Sequence, residues 1–174
     1  MHKVLVTLIL TLIMLDIADA RPRSLGATFS YAGWGLAYEH AVKDGGMLEI
    51  CLRSELSDRF WDMDKAAGMS ASFTYGITLK EWISSKGMPL KLNAGPGAYL
   101  AWTEDFRQGI GAAFGLKGRI CMECCFERNV ILTFGAAPVV GVHLRIMEDH
   151  VSMKLFRNGL LFSIMPEIGV RYRF

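Results

Sequence analysis

The sequence predicts an all-β protein: an eight-stranded antiparallel transmembrane β-barrel that follows a cleaved export signal. The chain is 52% hydrophobic, yet beyond Leu15 no apolar run approaches the length of a membrane-spanning helix. Its apolar residues instead alternate with polar ones in segment after segment, and the last such segment, residues 160–174, ends on an aromatic residue. Strands of a membrane barrel alternate in this way because one face meets lipid and the other meets the interior.

Residues 1–20 are predicted to be a signal peptide. His2 and Lys3 give a positive start, residues 4–15 form an apolar run, and Ala18 and Ala20 supply the small residues that signal peptidase accepts. The run is too short for a helix that crosses a bilayer, which needs about 20 residues. We therefore expect cleavage after Ala20, a single barrel domain over residues 21–174, and export to the outer membrane of a Gram-negative bacterium.

The N-terminal part of the mature chain, residues 24–42, fits either one strand or two. Two strands, 24–31 and 33–42, would meet at a tight turn near Ala32 and Gly33. Single-chain bacterial barrels have even strand numbers, and only the two-strand reading brings the total to eight. Longer loops are then predicted at residues 57–67, 103–108 and 143–158 on one end, with the connections at 43–46, 82–87 and 124–129 on the other.

The central strands are predicted over residues 48–56, 69–80, 90–102, 110–120 and 130–142, and each clear strand carries its charges on one parity. Pro96, Pro138 and Pro166 mark bulges or bends, because proline has no N–H to donate to a neighbouring strand. An eight-stranded barrel is just wide enough inside for side chains to fill it. The charges should therefore pair with one another and close the interior, with a narrow pore as the alternative. The predicted interior charge network is Glu49, Arg53, Glu55, Lys80, Lys91, Lys117, Arg119, Glu167, Arg171 and Arg173.

The C-terminal residues carry a resemblance to known barrels. Ile168, Val170, Tyr172 and Phe174 occupy alternate positions up to the final residue, and this pattern resembles the signal by which the barrel-assembly machinery recognises its substrates. With the segments 23–26, 95–98 and 166–169, the mature chain resembles the small outer-membrane β-barrel proteins of Bacteroidetes-type bacteria. The resemblance implies an up-and-down meander of the OmpA and OmpX type, a monomer that contacts outer-membrane lipid, lipopolysaccharide and the assembly machinery, and no cofactor.

Four cysteines, Cys51, Cys121, Cys124 and Cys125, lie in a chain predicted to be exported, where disulfides are permitted. The cluster at 121–125 has neither a second pair nor a nearby histidine at the spacing typical of zinc sites. No metal site is predicted, and disulfides and free thiols both remain open. The formal net charge of +2 is too small to predict binding to nucleic acid.

An enzymatic alternative rests on His150, Ser152 and Glu167. A His-x-Ser pair followed by an acidic residue resembles outer-membrane lipid A deacylases, in which a histidine accepts the serine proton while a carboxylate orients it. The sequence after Ser152 departs from that family, and Glu167 is predicted to face the interior. We therefore predict a non-enzymatic protein with an envelope-structural or surface-interaction role. A soluble lipocalin-like carrier is a further alternative, and it would need the opposite sidedness, apolar inside and charged outside.

Overall fold

The computed structural model describes residues 23–30, 33–42, 45–55, 68–105, 109–126, 129–146, 151–158 and 166–174. These residues form one antiparallel sheet of ten strands, which confirms the all-β prediction. The predicted signal peptide and His150 lie outside the described residues. Within the described part of the chain, no helix has the length and apolar character needed to cross a membrane.

The strands are β1 (Arg23–Ser30), β2 (Gly33–Ala41), β3 (Gly46–Glu55), β4 (Gly68–Ile83), β5 (Pro89–Asp105), β6 (Gly109–Cys125), β7 (Val130–Ala136), β8 (Val139–Ile146), β9 (Val151–Leu155) and β10 (Glu167–Arg173). β1 and β2 pair with each other antiparallel, so residues 24–42 form two strands, as the two-strand reading predicted. β4, β5 and β6 are the longest, with 16, 17 and 17 residues.

The pairings run in a closed circuit through eight of the ten strands. β1 to β7 pair in chain order, β7 pairs with β10, and β10 returns to β1. Following paired residues once round this circuit from Gly68 leads back to Thr78 on the same strand, ten residues further on. Ten residues advance about 33 Å along a strand, while eight strand spacings cover about 38 Å across the sheet. The ratio of the first length to the second is the tangent of the strand tilt. The strands are therefore tilted by about 40° to the axis of the circuit, which is typical of closed β-structures.

β7 and β8 both pair with β6 and form two parts of one strand that is interrupted at Pro138. Ala136 pairs with Ile120 and Val139 pairs with Lys117, so the register against β6 does not change across the break. The carbonyl of Pro138 accepts a hydrogen bond from Gly118 N–H at 2.7 Å, but proline has no N–H of its own to donate. The irregularity predicted at this proline is confirmed.

β9 pairs with β8 and β10 pairs with β7, but the two pairings differ in register. Leu155 pairs with Val142 and Glu167 pairs with Gly135. Leu155 and Glu167 are 12 residues apart in the chain, whereas their partners Val142 and Gly135 are seven apart, so the two registers differ by five residues. The prediction of a loop over 143–158 was wrong, because this stretch contains the end of β8 and all of β9. Of the single strand predicted over 160–174, the described part is β10, and residues 160–165 lie outside the described residues.

The two faces of the sheet are inverted relative to a water-soluble protein. Large apolar side chains at alternate positions are exposed, among them Leu52, Phe73, Leu116, Phe134 and Ile168. Polar and charged side chains on the opposite face are buried. These include Ser24, Thr28, Glu39, Glu49, Glu55, Ser70, Ser72, Thr74, Asn93, Lys117, Arg119, Glu123, Thr133, Glu167 and Arg171. β4 shows the pattern most clearly, with buried and exposed residues alternating from Gly68 to Ile77.

Candidate functional site: the polar interior of the sheet

Two arginines and two glutamates meet in the half of the interior nearer Arg23 and Phe174. Arg171 donates through Nη1 to Glu39 at 2.5 Å and through Nη2 to Glu49. Arg119 Nη1 lies 3.1 Å from Glu49 and 3.8 Å from Glu39. We call these four residues the charge quartet, the end of the sheet that holds Arg23 and Phe174 the proximal end, and the opposite end the distal end.

The quartet joins strands from separate parts of the circuit. Arg171 is on β10, Arg119 on β6, and Glu39 and Glu49 are paired neighbours on β2 and β3. Each occupies an inward position of its strand, and Arg171 is only 1% exposed. Burying a charge is costly unless a partner compensates it. Here each carboxylate lies within ion-pair distance of both guanidinium groups, so the cluster as a whole is neutral.

A second group of polar contacts lies distal to the quartet. Arg53 forms an ion pair with Glu167, and its Nη1 also donates to Ser30 Oγ at 3.3 Å. Lys117 Nζ donates to Ser72 Oγ at 2.9 Å. The arginine of β3 thereby links the described end of the β1 strand to the start of β10.

The carboxylate of Glu55 is shared by two hydroxyl groups in the same region. It accepts hydrogen bonds from Ser70 Oγ and from Tyr99 Oη, the latter at 3.1 Å. β3, β4 and β5 are therefore linked through one buried carboxylate, which has hydroxyl donors in place of an arginine.

Residues 156–158, directly after β9, lie in the distal half of the interior. Phe156 is buried against Ala101, Ala113, Val139 and Tyr99. Its ring stacks on Tyr99 with centroids 5.8 Å apart and on His143 with centroids 6.3 Å apart. His143 Nε2 lies 3.1 Å from the carbonyl oxygen of Thr103, so this nitrogen carries the proton if the contact is a hydrogen bond.

Asp105 at the end of β5 holds the same segment in place. Its Oδ2 accepts from Arg157 N–H at 3.2 Å, and its Oδ1 accepts from Asn158 N–H at 2.8 Å. Asn158 Nδ2 donates to the carbonyl of Glu104 at 3.0 Å. We call Phe156, Asn158 and Asp105 the distal plug.

The structure buries most of the predicted interior charges and brings several together. Glu49, Glu55, Lys117, Arg119, Glu167 and Arg171 are buried, and Arg53 is half-buried. Lys91 and Arg173 are half-buried at the proximal end, where Lys91 pairs with Glu81 at 2.6 Å and Arg173 Nη2 lies 3.7 Å from Cys125 Sγ.

Lys80 is not inside. It is exposed, with Nζ 5.9 Å from the ring of Trp82, which corrects the prediction of an interior position. The register between β4 and β5 shifts between Thr78 and Lys80, so that Lys80 pairs with the outward Leu92. An extra residue in one strand reverses the parity of everything after it.

Among the described residues, sequence reasoning missed four buried titratable side chains: Glu39, Glu123, Asp105 and His143. Glu39 belongs to a strand whose phase was not assigned, although the alternation of Trp34, Leu36 and Tyr38 places it on the opposite face. Glu123 continues the parity of Lys117 and Arg119 beyond the predicted end of that strand. Asp105 and His143 fell inside predicted loops.

The residues of the enzymatic alternative are not assembled within the described chain. Glu167 pairs with Gly135, which pairs with Cys121 of β6. Ser152 pairs with Arg145, which lies one residue past the pair of Leu144 with Ala112 of β6. These two levels are about 30 Å apart along β6 at 3.3 Å per residue. Glu167 is moreover engaged by Arg53.

The four cysteines are all free thiols. Cys51 and Cys121 are buried, and Cys51 Sγ lies 3.8 Å from Thr28 Oγ1. In the described part of the chain, no three His, Cys, Asp or Glu side chains are placed to hold a metal ion. The predicted assembly-signal residues Ile168, Val170, Tyr172 and Phe174 are all exposed, on the outer side of the last strand.

No family model matches this chain, and no curated protein matches it. Among solved structures, it is similar to the N-terminal β-barrel domain of Pseudomonas aeruginosa OprF, with 11% identity over 88% of this chain and 96% of that one and a TM-score of 0.49. It is also similar to the Yersinia pestis outer membrane protein Ail in a phospholipid bilayer nanodisc, with 13% identity, coverage of 88% and 98%, and a TM-score of 0.40. The crystal structure of Yersinia pestis Ail is similar as well, with 12% identity over 88% of this chain and 97% of that one and a TM-score of 0.37.

Proposed function

We propose that the closed circuit is an eight-stranded transmembrane β-barrel of a Gram-negative outer membrane, with a non-enzymatic role in envelope structure or in contacts at the cell surface. The observation that carries this proposal is the inverted sidedness of the sheet. An outer face of exposed Leu, Ile, Phe and Val would be costly in water, whereas in lipid it is the favourable arrangement. A lipocalin-like carrier would require the reverse, with an apolar interior.

The height of the apolar face fits a membrane. On β4 exposed apolar residues extend from Met69 to Leu79. Ten residues at a tilt of about 40° rise about 25 Å along the axis, which matches the apolar band of outer-membrane barrels. With Arg23 and Phe174 at the proximal end, this end would face the periplasm and the paired strands β8 and β9 would extend on the cell-surface side.

The interior supports a closed barrel rather than a pore. The charge quartet crosses the interior in its proximal half, and the distal plug lies across the other half. A barrel of this kind acts through its outer surface and distal connections, in contact with outer-membrane lipid and lipopolysaccharide, and needs no cofactor. Its insertion would use the exposed C-terminal residues up to Phe174, read by the barrel-assembly machinery.

Sidedness is tested on β4, where the alternation is cleanest and no ion pair is lost. Single cysteines at positions 70–75 are introduced in a background without the four native cysteines, and the folded protein is labelled in bilayers with a lipid-soluble maleimide. Positions 71, 73 and 75 should react, and positions 70, 72 and 74 should not. Labelling without a two-residue period would contradict the membrane barrel.

The role and the insertion are tested by three further measurements. Purified protein in planar bilayers should show no steady conductance, whereas open steps would support a pore. A strain that carries Ser152→Ala should have the same lipid A mass spectrum as a strain that carries the unchanged protein. A difference between the two spectra would support the lipid-modifying alternative. Deleting Phe174 should lower the amount of folded, heat-modifiable protein in cells.

A further inference from the structure

A cavity of about 190 Å³ opens at the proximal end, below the charge quartet. Its charged lining consists of Arg23, Glu39, Glu81, Lys91, Glu123 and Arg173, and Ser24 also lines it. A water molecule occupies about 30 Å³ in the liquid, so the cavity has room for several waters or for one small solute.

Glu123 is the unusual member of this lining. It is 1% exposed, and its Oε1 has no hydrogen-bond partner among the described residues. The hydroxyl of Ser24, which is 2% exposed, also has none. Glu39, Glu49 and Glu167 are buried as well, yet each lies within ion-pair distance of an arginine. Leaving a buried carboxylate oxygen without a donor costs more than leaving an ordinary polar group, because the charged form is strongly disfavoured away from water.

The cationic side chains around the cavity are already engaged. Lys91 donates to Glu81 at 2.6 Å, and Arg173 Nη2 points to Cys125 Sγ at 3.7 Å. Arg23 has an interaction of its own. Glu39 is held by Arg171 at 2.5 Å. The unsatisfied side-chain atoms lining this cavity are Glu123 Oε1, which as a carboxylate oxygen takes a cation or a hydrogen-bond donor, and the Ser24 hydroxyl, which can accept or donate.

We propose that the proximal cavity is a binding site for a small monovalent cation, either an alkali ion or an ammonium group, held by Glu123 with Ser24. Oxygen atoms are the ligands that such hard cations prefer, and an ammonium group can donate to both atoms at once. Glu39 and Glu81 of the lining are already paired with Arg171 and Lys91, so the cavity offers the single carboxylate charge of Glu123, which suits a monovalent cation. The cation site is formed by the folded sheet, so this proposal does not rest on the cellular membrane assigned to the protein under the proposed function.

The test measures the thermal unfolding midpoint of the detergent-folded protein at constant ionic strength. NaCl, KCl or NH4Cl replaces tetraethylammonium chloride, whose bulky cation cannot approach a carboxylate oxygen closely and has no N–H to donate. In the unchanged protein, at least one small cation should raise the midpoint along a saturating curve. An effect of ammonium alone would assign the site to amines, and an effect of sodium or potassium would assign it to alkali ions.

Two variants identify the site. Glu123→Gln should abolish the cation dependence, because its amide is neutral and nearly the same shape. Glu104→Gln is the control, since Glu104 lies near the distal end of β5 and does not line the cavity, and its response should equal that of the unchanged protein. An equal response in Glu123→Gln, or no response in the unchanged protein, would overturn the proposal. Should Glu123→Gln fail to fold, the curve of the unchanged protein decides: saturation supports a site, and equal effects of all four salts refute it.

Discussion

The two halves of the interior are filled in different ways. In the proximal half, side chains of four regular strands reach inward and neutralise one another as the charge quartet. In the distal half, the chain itself turns inward after β9, so that Phe156 packs on Tyr99 and His143 while Asp105 accepts two backbone N–H groups. The first is an arrangement of charges on a regular frame, and the second is an irregular segment held by packing and hydrogen bonds.

The difference teaches where each half is vulnerable. Removing one charge from the quartet leaves the opposite charges buried without full compensation, and the damage spreads across strands that are distant in sequence. Removing one contact from the plug leaves a small cavity or an unsatisfied amide, and the ring of strands is unaffected. Mutations should therefore separate the halves by the size and the reach of their effects.

The largest effect is expected from Arg171→Met. It leaves Glu39 and Glu49 with Arg119 as their single arginine partner, and breaking a buried pair in this way costs about 3–5 kcal/mol. Urea unfolding of the detergent-folded protein measures the loss. Adding Glu39→Gln to the same chain should restore much of the stability, because Arg119 and Glu49, 3.1 Å apart, then remain as a neutral pair. A single-variant loss below about 1 kcal/mol would show that the quartet is not energetically coupled.

Phe156→Ala is expected to cost about 3 kcal/mol, the value typical of the lower range for a buried phenylalanine. The loss arises from the cavity left between Tyr99 and His143. Phe156→Leu, which keeps most of the volume, should cost less than about 1.5 kcal/mol. The same urea series measures both variants. Equal losses for the two would indicate that packing of the ring does not hold the plug.

Asp105→Asn should have a smaller and local effect, about 1.5 kcal/mol, because one side-chain oxygen acceptor and the negative charge are lost. Hydrogen exchange gives the most direct readout: the amides of Arg157 and Asn158 should exchange faster, while those of β10 keep their protection. Faster exchange in β10 as well would mean that the two halves unfold together, against the separation described above.

The smallest effect is expected from Lys91→Met. Its ion pair with Glu81 joins side chains that are 31% and 58% exposed, and such pairs contribute less than about 1 kcal/mol. The effect should shrink further in high salt, which screens exposed charges. Comparison with Arg171→Met in one unfolding series isolates the contribution of burial, since both changes remove a cation paired with glutamate. A loss as large as that of Arg171→Met would refute this distinction.

The alternation of the chain was enough to predict the interior position of three of the four charge-quartet residues. Once the phase of a strand is known, every second residue faces inward, so Glu49, Arg119, Glu167 and Arg171 could be placed from sequence alone. Glu39 was open to the same reasoning and was missed because its strand had not been assigned a phase. Lys80 was placed wrongly because a bulge after Thr78 reverses the parity, and nothing in the local pattern marks that bulge.

By itself, then, the sequence determined the class of the fold and which residues of its clear strands share a face, because strand periodicity is a local property of the chain. The division of residues 24–42 into two strands was left open by periodicity and was settled by the pairing of β1 with β2. Only the tertiary structure decided which charges meet, since Arg171 and Glu39 are 132 residues apart and their pairing depends on how far neighbouring strands are shifted. It also decided the distal plug. The five additional residues between β9 and β10 are visible only as a mismatch of two registers, and a register is a relation between strands that no single segment encodes.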